Sequence, residues 1–229
     1  MMISMSQQIE KRKIEVNKSI TTKDKELADT IRARFDALNI KAFDVMGTIG
    51  AGKTTLLERI AKKISNRSPI LVINGDLATN IDADRITTQG ATAIQINTGT
   101  GCHLNAHYID KVLNEFSDKL ETFKNGYVFI ENVGNLICPA GWDVGAHQRI
   151  VVTSVTEGPY HVKKHPHIFK IASVLVVNKI ELAEYMDVKL EDLEKDAKDL
   201  NKDIKVVFTN LKEEPFTGLE KLIDILGIN

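Results

Sequence analysis

The 229-residue chain has two cysteines, one tryptophan and five prolines, and aromatic residues make up only 6% of it. Two cysteines far apart, Cys102 and Cys138, cannot build the disulfide framework of a small secreted domain. Their scarcity suits a cytoplasmic protein, in which a thiol is free, catalytic or metal-bound. A long apolar run is missing too, so neither a signal peptide nor a membrane span is expected. Charge of one sign is not in excess: 30 basic residues face 31 acidic ones, for a net charge of -1, with no basic block. That balance argues against a nucleic-acid partner. Internal repeats and low-complexity linkers are also absent.

What remains is enough chain for a full core. "KELADTIRARFDALNI" sets Leu27, Ile31, Phe35 and Leu38 at helical spacing with charge between them, which predicts an amphipathic helix packed on the body. Residues 1–40 are expected to form an N-terminal helical extension, and residues 41–229 the main domain. From Lys41 onward, short apolar strands ("AFDVMG", "PILVIN", "TAIQIN", "GYVFIEN", "IVVTSV", "SVLVVNK", "KVVFTN") alternate with helical segments such as "TLLERIAKKI", "AHYIDKVLNEFSDKL", "KLEDLEKDAKDLN" and "TGLEKLIDILGI". Strands this apolar belong to a mostly parallel sheet covered on both faces. The expected fold is therefore α/β, three-layered, with a P-loop.

The P-loop expectation rests on "GTIGAGKT", which has the complete Walker A spacing and falls between a strand and a helix. Gly47, Gly50 and Gly52 let the loop wrap so that backbone N–H groups of Thr48, Ile49, Ala51 and their neighbours point at phosphate. Lys53 can reach the outer phosphates, Thr54 can ligate Mg²⁺, and Thr55 continues into the helix, whose positive end adds to the cradle. Two carboxylates suit the magnesium shell: Asp76 just past "PILVIN", and Glu131 at the end of "GYVFIE", with Gly134 three residues on as in the Asp-x-x-Gly of many P-loop switches. Asn178, Lys179 and Glu181 in "NKIEL" parallel the Asn-Lys-x-Asp that reads guanine, with one methylene more on the carboxylate. Guanine is the expected base.

Cys102 and His103 follow the third strand, with His107 four residues later, and Cys138 lies seven residues past Glu131 in "ENVGNLICPAGWD". Both cysteines therefore come after elements at one end of the sheet. One reading makes them packed thiols with an ordinary histidine neighbour. The other makes Cys102, His103 and Cys138 ligands of Zn²⁺ or Ni²⁺, completed by His107, by water, or by a second copy across a two-fold axis.

Taken together, "GTIGAGKTT", "GDLATNIDADRI", "QINTGTGCHLNAH", "FIENVGNLICPAGWDVG", "VTEG" and "NKIEL" resemble the HypB family. These are SIMIBI-class P-loop GTPases that help insert nickel into nickel–iron hydrogenases; the urease GTPase is a related protein. The resemblance runs from about Lys41 to the C-terminus. It implies GTP as substrate, Mg²⁺ held by Thr54, Asp76 and Glu131, and a base pocket of Asn178, Lys179 and Glu181. It also implies a Zn²⁺ or Ni²⁺ site of Cys102, His103 and Cys138, with His107 as an additional candidate, shared across a homodimer that GTP and metal favour. The partners it implies are a HypA-like accessory protein, the immature hydrogenase large subunit and the chaperone SlyD. The alternative expectations are a scaffold whose nucleotide-dependent dimer holds a structural zinc, and the related maturation GTPase of another nickel enzyme such as urease. The family's amino-terminal Cys-x-x-Cys-Gly-Cys motif and His-rich tail are missing, so a second nickel site is not expected. The acidic segment after "TEG" is replaced by "PYHVKKHP", which brings in His161, His165 and His167 as surface-loop histidines.

Overall fold

The structure is a computed structural model that describes residues 22–75, 80–96, 103–137 and 139–228. Seven strands form one sheet: β1 (Lys41–Gly47), β2 (Ile70–Asn74), β3 (Thr92–Gln95), β4 (Tyr127–Glu131), β5 (Gln148–Ser154), β6 (Val174–Asn178) and β7 (Lys205–Thr209). Their order is β3-β2-β4-β1-β5-β6-β7, and every neighbouring pair is parallel. All seven apolar runs expected to be strands are strands. β1 lies in the middle, with β4 on one side and β5 on the other. The chain thus reverses its direction of travel at β1, and the crevice where an open α/β sheet binds ligand opens above its carboxyl end.

The helices are α1 (22–37), α2 (Lys53–Ile64), α3 (Asn80–Thr87), α4 (Ala106–Glu115), α5 (Ser117–Leu120), α6 (His161–Lys164), α7 (Pro166–Ile171), α8 (Leu190–Leu200) and α9 (Leu219–Leu226). Side chains alternate across the sheet, so successive strand residues feed different layers. Phe43, Val45, Phe129, Ile150, Val152, Val176 and Val207 pack under α2 and α9 in one cluster. The opposite face is divided. Ala42, Leu71, Ile73, Val128 and Ile130 pack with Ile31 and Phe35 of α1 and with Ile109 and Leu113 of α4. Met46, Val151, Leu175, Val177 and Val206 pack with Phe169 of α7 and Leu193 of α8. Helices therefore cover both faces of the sheet, as three layers require.

Helix α1 shares the second of these clusters with the strands. Ala28, Ile31 and Phe35 are fully buried at the heptad-like spacing that "KELADTIRARFDALNI" displays. Polar contacts fix its position: Arg32 pairs with Asp143 at 2.9 Å, and Arg34 donates to Asn114 at 2.8 Å and to the Leu113 carbonyl at 3.0 Å. The segment "AHYIDKVLNEFSDKL" differs from the single helix expected. It breaks at Phe116 into α4 and α5 because that residue leaves helical geometry (φ -106, ψ 11). Its ring then lies 6.2 Å from that of Phe123, and Leu120 turns into the core.

Candidate functional site

The carboxyl ends of β1, β4 and β6 bring three sequence motifs to one place, with Asn74 at the end of β2 beside them. Gly47 ends β1, where an added Cβ would lie 2.2 Å from the Val152 carbonyl oxygen. Gly50 (φ 77) and Gly52 (φ 100) take left-handed backbone, which turns the chain sharply before α2 begins at Lys53. Lys53 is buried, and its ammonium donates to the carbonyls of Gly47 at 3.3 Å and Thr48 at 3.1 Å, across the mouth of the loop. An ammonium arched over its own loop is placed to meet an anion there.

Glu131 ends β4 beside Asn74 of β2, and its side chain is directed to the α2 side of the sheet. Its carboxylate accepts from the Thr54 hydroxyl at 2.8 Å and from the Asn74 amide at 3.2 Å, within an almost fully buried setting. A hydroxyl that donates its proton to a carboxylate keeps lone pairs for a cation, so this pair has the hard-oxygen chemistry that Mg²⁺ needs. Gly134 follows three residues later and abuts the phosphate loop: an added Cβ would lie 2.3 Å from the Ile49 side chain.

Asn178 ends β6. Its amide donates to the Ala51 carbonyl at 3.0 Å, and its amide oxygen accepts from the Thr209 hydroxyl of β7 at 3.0 Å. The residue thus clamps the phosphate loop to the neighbouring strand, a duty the four-residue motif does not announce. Lys179 takes left-handed backbone (φ 61) and starts the turn that carries Glu181. One cleft of about 620 Å³ is lined by Ile49, Gly50, Gly52, Lys53, Thr54, Thr55, Glu131, Asn178, Lys179 and Glu181.

Five further residues line that cleft without having been singled out from sequence: Arg59, Asp82, Arg85, Leu211 and Lys212. Arg85 donates to Glu58 at 2.7 Å and to the Thr55 hydroxyl at 3.3 Å, next to Thr54. Leu211 and Lys212 follow β7, two and three residues past its end at Thr209. The signal that could have revealed them is their position at a strand end, since their residue types carry none.

The metal segments are described only in part. Asp76, Cys102 and Cys138 lie outside the described residues. His103 is half-buried, and its ring stacks on Trp142 with centroids 4.9 Å apart. Burial lowers its pKa, while the Asp24 charge opposes that shift. His107 is exposed in the first turn of α4, where the Asn105 side chain caps its N–H at 3.1 Å. Among the described residues no group of three or more His, Cys, Asp or Glu side chains is arranged to hold a metal. The "PYHVKKHP" segment is not a loop but α6 and α7. His161 is buried there against Phe169, with its Nδ1 3.1 Å from the Gly158 carbonyl oxygen, so only His165 and His167 reach the surface.

With this geometry in place, known proteins agree with it. Residues 41–208 match the family described as CobW/HypB/UreG, nucleotide-binding domain. A probable hydrogenase maturation factor HypB from Methanocaldococcus jannaschii is 40% identical over 214 residues, covering 93% of this chain and 94% of that protein. The chain belongs to the HypB family. A crystal structure of the hydrogenase maturation factor HypB from Archaeoglobus fulgidus superposes with a TM-score of 0.82 at 40% identity, over 90% of this chain and 98% of that one. HypB from Helicobacter pylori, solved in complex with nickel, gives 0.81 at 31% identity over 89% and 93%. The Azotobacter vinelandii HypB is longer, and this chain spans 63% of its length at 39% identity. As a HypB-family, SIMIBI-class P-loop protein, the chain is a GTPase of the hydrogenase-maturation group. Among its described residues no helix is long and apolar enough to cross a membrane.

Proposed function

We propose that this chain hydrolyses GTP to drive a nickel-carrying homodimer during maturation of a nickel–iron hydrogenase. The observation that carries the reading is the Thr54–Glu131 bond, set in a cleft that also presents Lys53 and the Asn178, Lys179 and Glu181 strand end. Lys53 would hold the outer phosphates as a point charge, and the backbone N–H groups of residues 47–55 would orient them. Thr54 and Glu131, with Asp76 as the further candidate, would hold Mg²⁺, which neutralises charge on the transferred phosphoryl group. Glu181 would accept from the guanine ring edge, with the stem of Lys179 against its face.

Nickel is drawn into the reading by family membership and by the H. pylori relative solved with that metal. Cys102, His103 and Cys138 from two subunits are the proposed shared site for Ni²⁺ or Zn²⁺, with His107 as a further candidate ligand. The proposed partners are a HypA-like accessory protein, the immature large subunit and SlyD, in the cytoplasm.

The decisive experiment titrates Ni²⁺ and Zn²⁺ into nucleotide-free, GDP-bound and GTP-analogue-bound protein while light scattering reports mass. Metal and GTP analogue should each strengthen the dimer and each other's binding, since linkage is reciprocal. Cys102→Ala and Cys138→Ala should each remove the metal-driven part and leave nucleotide binding intact. Stoichiometric metal on the Cys102/Cys138 double variant, with an unchanged oligomeric response, would sink the shared site. Tight Zn²⁺ binding that ignores both Ni²⁺ and nucleotide would establish the scaffold instead.

A further inference from the structure

The sheet face that carries two separate apolar clusters has a polar seam between them. Along β1, Ala42 belongs to one cluster and Met46 to the other, and between them on the same face sits Asp44, a buried carboxylate in the central strand. Arg149 of β5, its neighbour in register, donates from Nε to Asp44 at 3.0 Å and from Nη2 to the Trp142 carbonyl at 2.6 Å. Burial raises the Asp44 pKa and the Arg149 charge opposes the rise. On the other side Asn132, fully buried, reaches Asp44 at 3.5 Å with its amide nitrogen. The Asn132 amide oxygen accepts from the Leu104 backbone N–H at 2.9 Å. Leu104 follows His103, and the His103 ring stacks on Trp142. The contacts therefore close into a ring through Asn132, Asp44, Arg149, Trp142, His103 and Leu104.

Asn132 is also the residue after Glu131. Consecutive residues at a strand end face opposite ways. Glu131 is directed to Thr54 on the α2 side, and Asn132 into the seam. A side chain with one amide cannot keep both Leu104 and Asp44 if the backbone beneath it tilts by an appreciable fraction of an ångström, because hydrogen bonds at these lengths weaken steeply with distance and angle. Leaving a buried partner unmet is costly, so the ring moves with the strand end or breaks.

We propose that Asn132, Asp44 and Arg149 are positioning residues that transmit the state of the phosphate site at Glu131 to the His103–Trp142 pair. The inference rests on the nucleotide reading above and deepens it, because it names the physical link between that site and the segments that carry the cysteines. Trp142 is the chain's one tryptophan, so its emission reports this place alone.

The test follows Trp142 emission in the full chain as Mg²⁺–GDP or Mg²⁺ with a non-hydrolysable GTP analogue is added, with calorimetry for nucleotide affinity. Wild type should give different emission in the two states. Asn132→Ala should bind both nucleotides within about threefold of wild type while the difference in emission shrinks at least about threefold, the scale on which single residues tune coupling between sites. Arg149→Lys should keep the charge beside Asp44 but lose the fork that also reaches Trp142, and so shrink the response as well. A merely structural role would lower stability and leave the emission difference at its wild-type size; that result in Asn132→Ala overturns the relay. If Asn132→Ala does not fold, a wild-type response in Arg149→Lys overturns it instead. Nucleotide binding without any emission change in wild type defeats the relay and spares the GTPase. Failure of nucleotide to bind wild type defeats the nucleotide reading and takes the relay with it.

Discussion

Two glycines of the phosphate loop share a backbone region and differ in surroundings. Gly50 (φ 77) has nothing within 4 Å of where a Cβ would stand, whereas at Gly52 (φ 100) the Cβ would lie 2.4 Å from the Asn178 amide nitrogen. Alanine at either position bears left-handed strain of about 1–3 kcal/mol. At position 52 it also pushes Asn178 off the Ala51 carbonyl and off its partner Thr209. Gly52→Ala should therefore weaken GTP and GDP binding together, and by at least about tenfold more than Gly50→Ala does, since one buried hydrogen bond lost is worth that factor. Calorimetry on both variants decides it. Equal losses would show that the clamp between phosphate loop and β7 does not set nucleotide affinity. The Walker spacing made the glycines legible in the sequence; the distinction between them was not, because it depends on a residue 126 positions further along that only the fold brings near.

At the scale of elements, the strands were legible because buried parallel strands are nearly continuous apolar runs, and every such run became one. The segment from His161 to Ile171 was not. Its histidines and lysines resemble a solvated loop, yet Val162, Ile168 and Phe169 draw it into the cluster under β5 and β6 as α6 and α7. That burial has a pH consequence. His161 is buried, its Nε2 has no hydrogen-bond partner among the described residues, and desolvation lowers its pKa; the Gly158 carbonyl, Glu157 and Asp196 oppose the shift and His165 adds to it. In the unfolded chain the imidazole titrates near 6.5. Below about pH 6.5 the unfolded state therefore takes up a proton that the folded state refuses, so stability is full above that pH and falls as pH drops toward the folded value. The slope is at most about 1.4 kcal/mol per pH unit for this one proton. Urea titrations of wild type and His161→Gln from pH 7.5 to about 5 should give a shallower acid decline in the variant. Parallel curves would mean that the ring takes its proton as readily folded as unfolded.

For the whole molecule, the open question is where the folded body begins. Composition suggested an extension ending near residue 40, since the charged helix precedes the first strand. Yet Ile31 and Phe35 are fully buried in the same cluster as Leu71, Val128 and Ile130 of the sheet. Gly145 (φ 80) marks how close the packing is, since an added Cβ would come within 2.5 Å of the Ile31 side chain. We therefore expect α1 to unfold with the sheet and not before it. Phe35→Ala removes a fully buried ring and should cost about 3–5 kcal/mol, because the cavity adds to the lost burial. In urea the midpoint should fall with the slope unchanged, which is the mark of lost stability within one cooperative unit. Nucleotide affinity should barely change, because α1 lies across the face away from α2 and none of its residues lines the cleft. A helix that was only an appendage would behave otherwise. It would fray in the variant and leave the midpoint of the sheet where it was, with a separate early loss of helical signal at low urea. That outcome would place the start of the folded body at Lys41.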